Sequence, residues 1–262
     1  MIDLSGKTAI VTGSTSGIGK AIAGQLAHAG ANVMINGFGD PAEISRIIKD
    51  LSAASGQTIL YSPADMRKSD EIKMLVDQTT ASLGAVDILI NNAGIQYVSP
   101  LEDFPPEQWD AILDINLTSS FHTTRLCLGA MKRAGWGRVV NIASAHSTVA
   151  SPYKSAYVAA KHGLLGLTKT VALECATDGV TVNAVSPGYV LTDLVVRQIP
   201  DTAKARGLTE EAVKNDVMLA SQPTKKFVAA EDIAKSVLFL CSSSADNITG
   251  ANLAIDGGWT AH

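Results

Sequence analysis

Short runs of β-branched and aliphatic residues alternate with longer helix-forming segments along the whole chain. Strands and helices that alternate in this way form a parallel sheet that is covered by helices on both faces. The sequence therefore predicts an α/β fold with a doubly wound parallel sheet of about seven strands. We expect strands near residues 7–12, 32–36, 57–61, 86–90, 137–143, 179–183 and 251–255, and helices near residues 18–29, 41–55, 69–82, 107–132, 155–176 and 231–241.

The alternation of strands and helices is not interrupted by a linker, a repeat or a low-complexity tract. A chain of 262 residues, 46% of them hydrophobic, suits one domain with a large core. We therefore interpret residues 1–262 as a single domain. Residues 186–226 form a long irregular connection with one helix predicted at 209–219, and connections of this length often cover a site. We expect a lid at about residues 189–220.

The charge pattern and the cysteines limit the kinds of partner. The net charge is -4 and the lysines and arginines are scattered, which disfavours nucleic acid and anionic membranes as partners. The cysteines Cys127, Cys175 and Cys241 lie far apart in apolar surroundings, so we expect free, buried thiols and a reducing compartment. The first residues lack the pattern of a secretory signal, and we expect a cytoplasmic protein without a membrane span.

A glycine-rich turn follows the first predicted strand, in the stretch VTGSTSGIGK. Gly13, Gly17 and Gly19 let the backbone turn sharply and approach a ligand, and the helix that follows offers free N–H groups to phosphate. The spacing G-x-x-x-G-x-G is only moderately specific, and a turn without a ligand is the alternative interpretation. Its position at the first strand-to-helix turn favours a dinucleotide site in a Rossmann-type fold.

The residues after the second predicted strand favour NAD over NADP. A 2′-phosphate needs a nearby cation, and neither the stretch INGFGD nor Ser16 supplies one. This prediction rests on the absence of a basic residue and not on the presence of an acidic one. Gly37 or Phe38 occupies the position where NAD enzymes often have an acidic residue that binds the ribose. Asp65, after the third strand, is a candidate for contact with the adenine amino group, and a turn residue is its alternative role.

Tyr157 and Lys161 are four residues apart in a predicted helix and so lie on the same face. An ammonium about 5 Å from the phenol, at an effective dielectric near 20, is worth on the order of 3 kcal/mol, or about two pKa units in favour of phenolate. We therefore predict that Tyr157 acts as a general base. Ser144 is expected to bind the same substrate oxygen, and Asn116 to anchor a water that connects Lys161 to solvent.

Each of these residues also has an ordinary structural role when it is considered alone. A tyrosine and a lysine four residues apart are most often a surface pair, Ser144 is most often a turn hydroxyl, and Asn116 a locally bonded helix residue. Their combination is more specific. Together with TGSTSGIG at 12–19, NNAG at 91–94, YVAAK at 157–161 and PG at 187–188, it resembles the short-chain dehydrogenase/reductase family over essentially the whole chain.

The resemblance implies an Asn116–Ser144–Tyr157–Lys161 tetrad, hydride transfer to or from nicotinamide C4, and a homotetramer. It also implies that Lys161 binds the nicotinamide ribose. The cofactor-binding residues implied by the motifs and the resemblance are Gly13, Thr15, Ser16, Gly17, Ile18, Phe38, Asp65, Asn92, Ala93, Gly94, Tyr157, Lys161, Pro187, Gly188, Val190 and Thr192.

Polar residues around the tetrad indicate a small carboxylate as substrate. The stretches NNAGIQ, IASAHSTVASPYKSAYVAAKHG and DGGWTA resemble family members that oxidise D-3-hydroxybutyrate to acetoacetate. The resemblance implies that Gln96, His146, Lys154 and Gln198 hold the carboxylate, and that Tyr189 and Trp259 enclose the methyl end. Tryptophan is common in these relatives where Tyr189 stands here. The implied substrate-binding set is Gln96, Ser144, His146, Lys154, Tyr157, Tyr189, Gln198 and Trp259.

Other functions stay open at the level of sequence. A reductase of 3-oxoacyl thioesters shares the tetrad but gains from NADPH and a basic rim, and a sugar-alcohol dehydrogenase has no use for Lys154. A binding module that senses NAD(H) can dispense with the tyrosine or the lysine. We expect no metal site, since the other histidines show no ligand-like spacing: His28, His122, His162 and His262.

Overall fold

A computed structural model describes residues 2–261, without the side chains of residues 193 and 194. Its seven strands form one parallel sheet in the order β3-β2-β1-β4-β5-β6-β7, which confirms the predicted fold class. The strands, β1 to β7 in chain order, are Thr8–Val11, Asn32–Asn36, Ile59–Ser62, Ile88–Asn91, Gly137–Ile142, Val180–Pro187 and Asn252–Ile255.

Helices cover both faces of this sheet. One face buries apolar side chains of α1 and α10, including Ile22 and Val237, and the other buries side chains of α3 and α5, including Leu75 and Met131. The α-helices, α1 to α10 in chain order, are Gly17–His28, Pro41–Ser55, Ser69–Leu83, Pro106–Leu113, Ser119–Ala134, Ser155–Glu174, Asp193–Arg206, Glu210–Ala212, Leu219–Ser221 and Ala230–Leu240. Among the described residues, no helix is long and apolar enough to cross a membrane.

The predicted helix over 107–132 is interrupted by a π-helical turn at Asp114–Thr118, which joins α4 to α5. Asn116 lies in this turn, and its amide bonds the backbone of Ile95 in both directions. Such a turn is a short local insertion inside an otherwise regular α-helix, and the segments on either side keep the ordinary helical period. For that reason the sequence pattern alone did not reveal it.

The connection over 186–226 is more regular than predicted. β6 extends to Pro187, and helix α7 spans Asp193–Arg206 where only irregular chain was expected. Pro200 inside α7 hid this helix, because proline usually ends a helical pattern. The helix packs Ile199 and Ala203 into a small apolar cluster that includes Val213, which lies in the helix predicted at 209–219. These contacts fix α7 against Tyr189, which follows β6, and against residues 213–218.

Candidate active site

The main cavity of the described residues is a cleft of about 320 Å³ at the carboxyl ends of the strands. It lies beside β1 and β4, where the order of strands reverses, which is the usual ligand position in an open parallel sheet. All the residues predicted to bind cofactor or substrate line this cleft, and so does each tetrad member except Asn116. Widely separated segments of the chain are thus brought to one place.

The glycine turn and the NNAG segment form one wall of the cleft. The Asn92 side chain donates hydrogen bonds to the carbonyls of Thr12 and Gly13, and the Thr12 hydroxyl accepts from the amides of Asn92 and Ala93. A Cβ on Gly13 would lie 2.8 Å from Ala93 Cα, and one on Gly19 would lie 2.3 Å from the Gly13 oxygen. This tight packing explains the glycines, and the N-terminus of α1 beside them suits a diphosphate.

The adenine end of the predicted cofactor site has no cation on its wall. Lys154 and Lys161 are the only basic lysine or arginine side chains lining the cleft in the described part of the chain, and both belong to the tetrad end. Phe38 is 66% exposed, and its carbonyl accepts a hydrogen bond from Thr15 Oγ1 at 2.8 Å. This wall therefore offers main-chain and apolar groups to the adenosine ribose. It offers no cation to the 2′-phosphate that distinguishes NADP from NAD.

Asp65 lines the cleft, but its carboxylate already has a partner. Arg67 donates to it through Nη2 at 2.7 Å and through Nε. These bonds hold the pKa of Asp65 below its ordinary value. Asp65 is thus an ionised acceptor near the predicted adenine position, and Arg67 fixes its orientation.

Tyr157 and Lys161 lie on one face of α6, as their spacing predicts, with Lys161 Nζ 5.7 Å from the centre of the tyrosine ring. Lys161 also donates to the Ile142 carbonyl at 2.7 Å, and burial lowers its pKa to about 8. Burial raises the pKa of Tyr157, and a hydrogen bond with Ser144 acts against that effect. The net direction for Tyr157 is therefore upward, opposite to the lowering expected from Lys161. Removal from water disfavours the charged forms of both side chains, the phenolate of Tyr157 and the ammonium of Lys161.

Asn116 is tied to the backbone of a neighbouring segment. It is 1% exposed, its Oδ1 accepts from the Ile95 amide at 2.8 Å, and its Nδ2 donates to the Ile95 carbonyl at 2.9 Å. These bonds use one acceptor site and one donor of the amide. They fix the backbone next to Gln96, and the role of Asn116 in anchoring a water stays a prediction.

The substrate end of the cleft contains a buried cation. Lys154 is 3% exposed, and its Nζ donates to Tyr189 Oη at 3.3 Å and to Gln198 Oε1 at 3.5 Å. Burial, with a smaller effect of Arg206, lowers the pKa of Lys154 to about 7. No carboxylate is paired with it among the described residues. A buried ammonium without a counter-ion is costly, and an anionic ligand would compensate for it.

Other buried polar atoms in the cleft have unused hydrogen-bonding capacity. Gln96 Nε2 and both ring nitrogens of His146 have no hydrogen-bond partner of good geometry in the described part of the chain. Burial, and next the charge of Lys154, lower the pKa of His146 to about 3, against a smaller effect of the Val149 backbone. His146 is therefore neutral and has one ring N–H. Buried polar atoms without partners are rare in folded proteins, and this group beside Lys154 suits an anionic ligand.

Two aromatic rings close the substrate end. Tyr189 and Trp259 stack with ring centres 5.2 Å apart, and the His146 ring meets Trp259 edge-on at 4.8 Å. Burial raises the pKa of Tyr189 to about 12, so its hydroxyl stays protonated. Tyr189 was predicted only to enclose the methyl end of the substrate, and its contact with Lys154 was not predicted. The tyrosine hydroxyl, a hydrogen-bonding group in the same predicted pocket as the lysine, could have indicated this contact.

Asn36 is a further residue that sequence reasoning missed. It is fully buried at the end of β2, accepts from the Gly13 amide at 3.3 Å, and donates to the carbonyls of Ser62 and Ala64. It thereby ties the glycine turn to the third strand. The sequence feature that could have identified it is a polar residue at the carboxyl end of an otherwise apolar strand.

Comparisons with known proteins agree with this arrangement. The family model described as enoyl-(acyl carrier protein) reductase matches residues 13–260. A D-beta-hydroxybutyrate dehydrogenase of Rhizobium meliloti is 58% identical over 97% of this chain and 99% of its own length. One from Cupriavidus necator is 51% identical over 98% and 99%. A 3-oxoacyl-[acyl-carrier-protein] reductase of Staphylococcus epidermidis is 35% identical over 96% and 98%.

Solved structures show the same fold. A crystal structure described as a short-chain alcohol dehydrogenase from Sinorhizobium meliloti superposes with a TM-score of 0.88 at 33% identity, covering 99% of this chain and 98% of that one. A structure described as a gluconate dehydrogenase from Agrobacterium tumefaciens gives the same values.

Proposed function

Because the chain belongs to the short-chain dehydrogenase/reductase family, we propose that it catalyses the reversible NAD-dependent oxidation of D-3-hydroxybutyrate to acetoacetate. The protein is an oxidoreductase, and its family uses a nicotinamide cofactor. The glycine turn and the cation-free adenine wall fit such a cofactor, and they favour NAD over NADP. When bound, the oxidised nicotinamide supplies the hydride acceptor and a positive charge in the cleft.

The observation that carries the substrate proposal is the set of unused donors around Lys154. Among the described side chains Lys154 has no carboxylate partner, and Gln96 and His146 have buried nitrogens without a hydrogen-bond partner of good geometry, all on the wall of one cleft. A small carboxylate satisfies these groups together, because its two oxygens accept several hydrogen bonds. The relatives named for hydroxybutyrate support the same assignment.

Tyr157 and Ser144 perform the proton chemistry in this proposal. Ser144 and Tyr157 bind the C3 hydroxyl of the substrate, and Tyr157 removes its proton as the C3 hydrogen leaves as hydride. Burial disfavours the phenolate of Tyr157, and positive charge beside the phenol, from Lys161 and from an oxidised nicotinamide if one were bound, would favour it. In the reverse direction Tyr157 returns the proton to acetoacetate.

The lid that includes α7 encloses the reaction in this proposal. Gln198 and Val195 of α7 line the cleft, and Ile199 and Ala203 join the apolar cluster beneath the lid. Movement of this segment would admit substrate and then exclude water. Lid motion is then coupled to turnover.

A reductase of 3-oxoacyl thioesters is the second candidate, because the Staphylococcus epidermidis relative carries that activity in its name. The buried Lys154 speaks against it, since a thioester has no carboxylate at that position to neutralise the charge. The cation-free adenine wall also disfavours NADPH.

A substrate panel tests the proposal. NADH or NADPH absorbance is followed with 3-hydroxy acids, 3-hydroxyacyl thioesters and polyols, each with NAD and with NADP. We expect rapid turnover of D-3-hydroxybutyrate with NAD alone. Preference for a polyol or a thioester would reject the substrate, and equal use of NADP would reject the cofactor assignment.

The charge of Lys154 predicts how carboxylate binding depends on pH. Its pKa in the ligand-free protein is about 7, lowered by burial, and only the ammonium attracts an anion. Affinity should be full below that pKa and fall by about tenfold per pH unit well above it. Butyrate, which lacks the reacting hydroxyl, is the probe: its inhibition constant should rise with pH above about 7. A constant value up to pH 9 would contradict this role.

The same proposal includes a cytoplasmic homotetramer. All three cysteines are buried and unpaired, in keeping with a reducing compartment. Phe121 of α5 and Leu173 of α6 are large apolar side chains at the surface, 46% and 79% exposed, and favour self-association. Light scattering of the purified protein measures the assembly.

A further inference from the structure

Lys154 depends on a loop with unusual backbone geometry. Tyr153, the residue before it, has φ +69°, in the left-handed region that non-glycine residues rarely adopt. Such a conformation persists only where surrounding contacts hold it. One of these contacts is the bond from the Ser99 amide to the Tyr153 carbonyl at 3.0 Å.

Arg206, the last residue of α7, reaches across to this loop. Its guanidinium carbon lies 5.7 Å from the centre of the Tyr153 ring, and its Nη2 is 3.4 Å from Ser151 Oγ. Arg206 Nε is buried without a hydrogen-bond partner among the described residues, so part of this charge is removed from water between lid and loop. A cation held over an aromatic face in this way is more strongly attracted than an exposed one.

The lid helix therefore contacts the Lys154 segment at two points. Gln198 meets Lys154 itself, and Arg206 meets the residues just before it, about two helical turns further along α7. Arg206 also adds positive charge near the anion pocket, since it lowers the pKa values of both Lys154 and Tyr189. A side chain outside the cleft lining thus acts on the group predicted to bind substrate.

We infer that Arg206 is a positioning residue for the substrate: it fastens the lid helix α7 to loop 151–154 and so holds Lys154 in the anion pocket. The inference rests on the proposed function only in taking the substrate to be a carboxylate. Arg206 does not touch the reacting atoms, so its loss should weaken substrate binding and leave the chemical step almost unchanged.

The test compares Arg206→Met with Arg206→Lys and with Arg197→Met. Arg197 is an exposed arginine on the same helix and provides a matched loss of charge. We expect Arg206→Met to raise KM for D-3-hydroxybutyrate about tenfold, with kcat within about twofold and NADH affinity unchanged. Arg206→Lys, which keeps a cation near the Tyr153 ring, should recover part of the loss, and Arg197→Met should stay within about twofold of the parent protein. Equal damage in Arg206→Lys and Arg206→Met, an unchanged KM, or a fall in kcat alone would overturn the inference.

Hydrogen exchange of the ligand-free protein separates this inference from the proposed function. Arg206→Met should speed amide exchange in residues 150–154 and in α7, whichever substrate the enzyme takes, while Arg197→Met should not. Tyr153→Leu, which keeps Arg206 but removes the ring, should have a smaller effect in the same direction. Unchanged exchange in both Arg206→Met and Tyr153→Leu overturns the inference. Failure of the parent protein to oxidise hydroxybutyrate, with exchange altered as expected, rejects only the substrate.

Discussion

Tyr157→Phe should lower kcat for D-3-hydroxybutyrate oxidation by about 10³-fold or more, because it removes the only group assigned to take the proton. The change deletes a single oxygen. It keeps the ring, which meets the His146 ring edge-on at 6.2 Å. The dissociation constant of NADH, measured by fluorescence titration, should therefore stay within about twofold of the parent value. The lost hydroxyl acts mainly in the chemical step, and the packing of the ring is kept.

Tyr97→Phe is the matched control for this substitution. The Tyr97 ring packs edge-on against Phe104 at 5.5 Å, and it does not line the cleft. It should keep nearly full activity. If Tyr157→Phe retained more than about a tenth of the parent kcat, proton transfer would have to be assigned to another group.

Lys154→Met should raise KM for D-3-hydroxybutyrate by about 100-fold, the range expected when one partner of a buried charge pair is removed. The ammonium is buried, and its pKa is lowered to about 7. A pKa lowered from the ordinary value of 10.5 means that folding disfavours this charge at neutral pH. The melting temperature of Lys154→Met should therefore be equal to or above that of the parent, so weaker binding cannot be attributed to unfolding.

Lys169→Met is its control, because Lys169 is an exposed lysine on the same helix α6. It should leave KM unchanged. Steady-state kinetics at pH 6.5, where Lys154 is mostly protonated, gives the largest contrast between the two variants. An unchanged KM in Lys154→Met would make this lysine a structural residue and remove the carboxylate from the account.

The sheet was predictable because its strands are short apolar runs separated by clear helical periods. β2 and α2 match the predicted bounds, and the last predicted strand differs by one residue. Helix α7 was less predictable, because Pro200 conceals its period and the packing that stabilises it comes from residues outside the helix. The sequence pattern thus predicts the elements that follow a regular apolar period, and it misses a helix that depends on tertiary contacts.

The positions of the site residues were predictable for a similar reason, since parallel strands bring their carboxyl ends to one edge. The energetics were not. The spacing of Tyr157 and Lys161 showed that they share a face, but not that burial would dominate the pKa of the phenol. Nor could spacing show that Ile95 would occupy the Asn116 amide, or that Arg206 would reach Tyr153. These contacts depend on the three-dimensional packing of separate segments.

The most direct test of the central claim compares kcat/KM for D-3-hydroxybutyrate with that for its thioester, using NAD and a single enzyme preparation. The two substrates share the C3 hydroxyl and differ in the group that meets Lys154. The account predicts that the free acid is preferred by about 100-fold or more, because only the carboxylate compensates for the buried ammonium. An equal or greater kcat/KM for the thioester would contradict it.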